Sequence, residues 1–429
     1  MSNRVSIQLE PDKGRVEGFC ESRFEPVLDE FVKNFKDRGE IGACACITFE
    51  GETVLDVWGG VADPIKRKSW SSDSISVVFS CTKGVVAIVA NMLIDRGLLD
   101  PHQPVAEIWP EFACKGKESA TVRMMLDHTV GVPVLRTPVK PDGFYDWDYM
   151  SDLIAAEKAF WIPGSKQGYH ATTWGWTVGE LIRRVTGKSV GANIQDMLAK
   201  PLNLDVWCGL PEAKETNVAP MIPHVPSPND VPFEMAKVAM EDPTSIPGLV
   251  FMNDGGWASA MTASISTETS STKVDERASH AAEIPAGNGI MNARALAGAY
   301  RPFAIGGSYN GVKFVGPDTL VGMEEVSSAS NRNETNFAAM KFSLGFGKSM
   351  DNRHQPFGPT ESLILGRRAF GHPGAGGSLG FADPEFGLSF GYVMNKMGGT
   401  MIIHDRTEAL LETAYRCAGG RSNASGFWT

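Results

Sequence analysis

The longest apolar stretch of the chain, Val85 to Ile94, constrains the fold more than any other feature. Only Asn91 interrupts it, and it is about half the ~20 residues that a bilayer-spanning helix needs. With its flanks it predicts one helix from Ser80 to Asp95, closed by Gly97. Val85, Val86, Ile88, Val89, Met92 and Leu93 leave little water around such a helix, so protein must enclose it. A chain of 429 residues can do that. At about 150 residues per unit it holds two or three folding units, or one large two-lobed unit. With 42% hydrophobic and 21% charged residues, wholesale disorder is excluded.

Charge and cysteines narrow the partners. Forty Lys and Arg against fifty Asp and Glu give a net charge of −10, which repels nucleic acid and anionic membrane surfaces. Neither is expected as a partner. The seven cysteines (Cys20, Cys44, Cys46, Cys81, Cys114, Cys208 and Cys417) are odd in number and contain no Cys-x-x-Cys pair. Neither a disulfide framework nor a zinc site is expected from them, and no histidines stand at metal-ligand spacing. Met1 is followed by charged residues with no apolar stretch of signal-peptide length. The expectation is a cytoplasmic protein with reduced thiols, and with no metal or organic cofactor.

Phe24, Val27, Leu28, Phe31, Val32 and Phe35 recur at helical spacing and predict a helix over Phe24 to Arg38. Ala43 to Phe49 and Thr53 to Trp58 read as strands joined by the turn Glu50-Gly51-Glu52. From Pro101 to about Pro247 short helical stretches alternate with Pro, Trp and Gly turns, and residues 259–272 form a Ser/Thr-rich loop. Ala293 to Ile305 reads as a helix. Apolar runs follow at Phe342 to Phe346, Leu379 to Ala382 and Gly387 to Met394, and Arg406 to Cys417 closes the chain as a helix. The turn Asp383-Pro384-Glu385-Phe386 makes the last two runs an antiparallel hairpin. These elements predict an α+β fold whose antiparallel sheet is built from both termini, with a mainly helical insertion. The expected divisions are an α/β lobe supplied by residues 1–105 and 285–429, and a helical lobe from residues 106–284.

Chemistry concentrates at Ser80-Cys81-Thr82-Lys83, the opening of the apolar helix. Residues three apart share a helix face, so Ser80 and Lys83 can touch. Desolvation disfavours a charged amine, and a lysine held neutral can act as base for a serine nucleophile. The helix N-terminus favours the negative charge that develops. The spacing alone has no weight, because Ser270-Ser271-Thr272-Lys273 repeats it within the polar loop, where nothing desolvates the amine. A rival nucleophile is Ser378 in Gly376-Gly377-Ser378-Leu379-Gly380, which fits the Gly-x-Ser-x-Gly elbow of α/β-hydrolases. That elbow needs a following helix, and a hairpin is predicted there instead.

A helix-opening Ser-x-x-Lys is the mark of β-lactamases and penicillin-binding proteins. Further stretches are similar to the same superfamily, in the same order. Thr121 to Pro133 (TVRMMLDHTVGVP) resembles the LLxHTSGLP stretch of class C β-lactamase-like serine hydrolases. Trp161-Ile162-Pro163-Gly164 leading to Tyr169 resembles the approach to a catalytic tyrosine. Pro285 to Gly289 with Ala293 to Ala297 resembles the helix before the final strands, and Gly371 to Gly377 (GHPGAGG) stands where a Lys-Thr-Gly strand would be. Within the superfamily the chain most resembles the family VIII carboxylesterases.

The resemblance implies a β-lactamase/DD-peptidase-like fold and an acyl-enzyme on Ser80, with Lys83 and Tyr169 as proton-transfer partners. A neighbouring Lys83 ammonium is expected to lower the Tyr169 phenol pKa. The N–H groups of Ser80 and Ala375 are expected to form the oxyanion hole, beside His372, Gly374 and Gly376, with glycine there because substrate approaches the backbone closely. Two motifs depart from the family pattern: Tyr-x-Asn reads Tyr169-His170-Ala171, and Lys-Thr-Gly reads His372-Pro373-Gly374. Losing the amide and the cation favours small neutral short-chain or aryl esters over lactams. Alternatives are a β-lactamase, a D-amino-acid amidase or an acyltransferase of the same fold, and a catalytically silent ligand-binding scaffold. His128 reads as a structural hydrogen-bonder, while Tyr145, Trp147, Trp161, Trp174 and Trp176 are core residues of which one or two line the site.

Overall fold

The structure is a computed structural model describing residues 3–10, 13–225, 234–253, 273–355, 362–400 and 402–429. The Ser/Thr-rich stretch 259–272 lies outside the described residues. Strands β1 (Arg4–Gln8), β2 (Arg15–Cys20), β3 (Gly42–Phe49) and β4 (Glu52–Asp63) come from the start of the chain. Strands β5 (Phe370–Pro373), β6 (Leu379–Asp383) and β7 (Leu388–Met394) come from its end. They form one sheet in the order β1-β2-β4-β3-β7-β6-β5, each neighbour antiparallel. The expected α+β sheet drawn from both termini is what the chain folds into. Its seam is β3 against β7, where Ile47 pairs with Phe390 and Cys44 with Val393.

Alternation along the strands sets the layers. Gly380 and its cross-strand partner Gly391 face helix α4 (Ala293–Ala304). A Cβ on Gly391 would lie 2.4 Å from the Ala293 carbonyl oxygen, so only glycine lets that helix approach. Phe381 and its partner Phe390 point the other way, and Phe381 stacks on Tyr415 of α5 (Asp405–Ala418) with ring centroids 5.8 Å apart. Helix α1 (Glu25–Asp37) packs beside α5 on that face. The order is thus α4, sheet, then α1 with α5.

A buried charge pair ties the second face together. Arg406 in the first turn of α5 donates to Glu40 Oε1 at 2.7 Å and to the Lys396 carbonyl at 2.7 Å. The Tyr392 hydroxyl on β7 donates to the other Glu40 oxygen. The side chains are 2% and 0% exposed. Burial pushes the Glu40 carboxyl upward, and the Arg406 charge opposes that shift.

Helix α2 (Cys81–Asp95) contacts β5 and β6 on one side and α3 (Trp174–Thr186) on the other. Every residue from Cys81 to Leu93 is buried. Between residues 101 and 253 the described residues are mostly short helices and turns, with Val206–Trp207 pairing to Ile290–Met291, which in turn pairs to Ser76–Val77. Among the described residues no helix is long and apolar enough to cross a membrane.

The structure departs from expectation in several places: strands β1 and β2 were not expected, and β4 runs on to Asp63 instead of ending at Trp58. The β3–β4 hairpin turns on only two residues, since Phe49 already pairs with Glu52, and Glu50 (φ 51°) and Gly51 (φ 85°) are both left-handed as a type I′ turn demands. The apolar run Phe342 to Phe346 is extended only at its first residue. Extended structure stops at Phe342, and Ser343 N–H donates back to the Phe346 carbonyl at 2.9 Å.

Because removing one partner strands a buried charge, Arg406→Met should cost about 3–5 kcal/mol in urea unfolding. Lys33→Ala removes the solvent-facing Lys33–Glu30 pair and should leave the midpoint unchanged. Equal midpoints for the two variants would show that the buried pair does not hold α5 to β7.

Candidate active site

The small strand Ser76–Val77 ends in a sharp turn at Phe79, whose φ of 45° is rare for a bulky residue. Ser80 follows with helical angles (φ −65°, ψ −9°) as the first residue of the α2 turn. Three residues on, Lys83 Nζ stands 3.1 Å from Ser80 Oγ. The amine also donates to the carbonyls of Ala171 and Ala286, each at 2.7 Å. Lys83 is fully buried, and desolvation holds its pKa down to about 7. At neutral pH a large share is therefore neutral amine. Its two protons satisfy the two carbonyls, and its lone pair is left facing the Ser80 hydroxyl.

The Tyr169 hydroxyl donates to Ser80 Oγ at 2.8 Å. Tyr169 is partly exposed as a whole, but its hydroxyl is closely surrounded, and burial raises its pKa above that of a free phenol. This reverses the expectation for Tyr169. Burial of the hydroxyl is the largest influence on its pKa and outweighs the lowering from its hydrogen bond to Ser80. Tyr169 stays a proton donor, and Lys83 is the group poised to accept.

The end of β5 lies against the nucleophile turn. Cys81 Sγ donates to the His372 carbonyl at 3.1 Å, and a Cβ on Gly374 would fall 2.2 Å from the Val78 carbonyl. Gly374 is therefore required by the protein's own turn, not by substrate as expected. Gly376 (φ 82°) is packed against Met394 and Met397. The N–H groups of Ser80 and Ala375 donate to no protein acceptor among the described residues, which leaves both available to an oxyanion. His372 holds the Pro373 carbonyl with Nδ1 at 2.7 Å. Burial and the nearby Lys83 charge lower its pKa to about 3, so it is neutral at working pH.

Tyr169, Ser80, Lys83 and His372 thus come together, and Ser378 does not join them. Ser378 is fully buried, its Oγ has no partner among the described residues, and strand β6 follows it directly. The Gly-x-Ser-x-Gly match is not an elbow. Lys273 of the second Ser-x-x-Lys pairs with Asp142 at 3.5 Å, while Ser270 lies outside the described residues. No group of three or more His, Cys, Asp or Glu residues is placed to hold a metal among the described residues. Trp174 and Trp176 are core side chains, and Trp161 packs against Gly168 in the Tyr169 loop.

Sequence reasoning missed the carbonyls of Ala171 and Ala286, because backbone acceptors carry no side-chain signature. It also missed Asn288, which accepts from Ile284 N–H and donates to the carbonyls of Ser279 and Ala282, fixing the turn that presents Ala286. Phe342 was missed too; its ring lies parallel to that of Tyr169, with centroids 6.2 Å apart.

Comparison with known proteins matches residues 28–415 to the family described as Beta-lactamase. The chain is 34% identical over 409 residues to the Mycobacterium tuberculosis (strain ATCC 25618 / H37Rv) esterase/beta-lactamase LipL, covering 94% of this chain and 88% of that protein. A crystal structure of a family VIII carboxylesterase superimposes with a TM-score of 0.77 at 34% identity, covering 94% of this chain and 99% of the other. A penicillin-binding protein homologue from Caulobacter crescentus gives 0.76 at 32% identity, over 94% and 99% of the two chains.

A fluorophosphonate probe should label Ser80 at a rate that rises with pH up to about 7 and levels off above it, since the lowered Lys83 amine must be unprotonated to accept the serine proton. Lys83→Met should slow labelling by about 10²-fold or more. A rate constant flat from pH 5 to 8 would remove Lys83 from the role of base.

Proposed function

The chain belongs to the beta-lactamase family and is a serine hydrolase of its family VIII esterase branch, and from that premise we propose that it cleaves small neutral esters, short-chain or aryl, through an acyl-enzyme on Ser80. The observation that carries this reading is the hydrogen-bonded cluster of Ser80, Lys83 and Tyr169, with no permanent positive charge beside it at His372.

In acylation the neutral Lys83 amine takes the Ser80 proton as Oγ bonds to the ester carbonyl carbon. The oxyanion is held by the N–H groups of Ser80 and Ala375, each worth about 3 kcal/mol of transition-state stabilisation. Collapse breaks the bond to the alkoxide, which leaves as alcohol after taking a proton from the Lys83–Tyr169 pair. Protons move within this coupled group, so the two residues act as a unit. Water repeats the sequence on the acyl-enzyme. It gives its proton to Lys83, its oxygen joins the acyl carbon, and Ser80 departs reprotonated as the acid leaves.

Substrate charge follows from the wall of the site. The relatives include an esterase/beta-lactamase and a penicillin-binding protein homologue, so lactams are the competing substrate class. A neutral His372 offers no cation to hold a substrate carboxylate, which favours uncharged esters. A cytoplasmic location fits such a reaction and is part of this proposal.

Ser80→Ala should reduce turnover of p-nitrophenyl butyrate by about 10³-fold or more, while Ser378→Ala keeps most of it. Nitrocefin should be a much poorer substrate than the butyrate for the unaltered enzyme. Faster nitrocefin cleavage would replace the esterase reading by the lactamase one.

A further inference from the structure

His128 bonds to the chain on both sides of Tyr169. Its carbonyl accepts from Gly168 N–H at 3.1 Å, and its ring nitrogen Nδ1 accepts from His170 N–H at 3.1 Å. The peptide that carries the tyrosine is thereby clamped before and after the residue. The His128 ring also lies 5.0 Å from the Tyr169 ring and 4.3 Å from Phe342. An accepting Nδ1 requires the proton to sit on Nε2, and that atom is buried with no partner among the described residues. An unsatisfied buried N–H is a cost that needs a compensating role. His128 itself is held in the left-handed region (φ 65°), and its neighbour Asp127 is anchored by the hydroxyls of Thr129 (2.7 Å) and Ser327 (2.6 Å). His128 is thus itself held in place, while the loop it grips has further bonds from Tyr169 N–H to Asn333 Oδ1 at 3.4 Å and from Val132 N–H to His170 Nε2 at 3.1 Å.

We infer that His128 is a positioning residue for the reaction: its Nδ1 lone pair and its carbonyl set the Tyr169 loop so that the phenol reaches Ser80 Oγ. The inference rests on the esterase reading, in which Tyr169 serves Ser80. Burial holds the imidazole well below its ordinary pKa, which keeps the lone pair free. A small displacement of a catalytic group is enough to cost about 10²-fold in rate. Substrate does not need to contact His128 for this, so the loss belongs in kcat rather than KM.

The test is a set of variants assayed on p-nitrophenyl butyrate, with folding checked by circular dichroism and thermal melting. Asparagine tolerates φ > 0 and places an amide oxygen where Nδ1 stands, whereas glycine tolerates the backbone but offers no acceptor. His128→Gly should lower kcat by about 10- to 100-fold with KM within about twofold, and His128→Asn should restore most of it. In a Tyr169→Phe background His128→Gly should cause little further loss, since both changes remove the same interaction. Equal losses in His128→Asn and His128→Gly, a KM that rises in step, or additive losses in the double variant would each overturn the inference. If His128→Gly does not fold, His128→Asn and the unaltered enzyme still decide it, because an Asn variant that folds but loses kcat contradicts the lone-pair role. A fully active Tyr169→Phe enzyme would instead bring down the reading of Tyr169 itself. A crippled Tyr169→Phe beside a fully active His128→Gly would defeat the positioning role alone.

Discussion

Enclosure of the apolar helix α2 is the constraint on which the site depends. A helix with Val85, Val86, Ile88, Val89, Met92 and Leu93 spread around it is stable only where protein covers every face, and here β5 and β6 cover one side while α3 covers another. Lys83, one turn from the helix start, is buried with it. Burial disfavours the ammonium, and two backbone carbonyls take the protons that a neutral amine retains. Packing that stabilises the fold therefore also makes the amine basic enough, and neutral enough, to serve a hydroxyl 3.1 Å away.

The other components reach this amine from distant parts of the chain. Ala171 and Tyr169 come from the loop before α3, Ala286 from the turn before the Ile290–Met291 strand, and His372 and Gly374 from the end of β5 and the residue after it. Each is held by hydrogen bonds or close packing: Asn288 fixes the Ala286 turn, Cys81 Sγ and the glycine at 374 fix β5 against the nucleophile turn, and His128 grips the Tyr169 loop. The reacting groups are few, and most of the polar groups around them orient those few.

Much of the scaffold was legible in advance. The helices at 25–37, 293–304 and 405–418 follow apolar periodicity, the helix at 81–95 follows its long apolar run, and the 379–394 hairpin follows its Asp-Pro turn. The apolar run Phe342 to Phe346 left its backbone conformation open, because an apolar run shows that residues are buried, not that they are extended. At the site, the Ser-x-x-Lys spacing placed Ser80 and Lys83 on one face, and helix geometry alone guarantees such a contact. The direction of the Tyr169 shift was misjudged, because it is set by how deeply the folded chain buries the hydroxyl.

The sequence by itself determined much of the local geometry: the main helices and strands β3, β4, β6 and β7 but not β1 and β2, that both termini supply the sheet, and that a serine and a lysine share the first turn of a helix bound to be buried. Those properties depend on periods of two and 3.6 residues and on spacing within one turn. The tertiary structure alone decided the protonation states of Lys83, Tyr169 and His372, the carbonyls that hold the amine, and the clamp around Tyr169. Desolvation and hydrogen bonding between segments far apart in the chain depend on distances that no local pattern encodes.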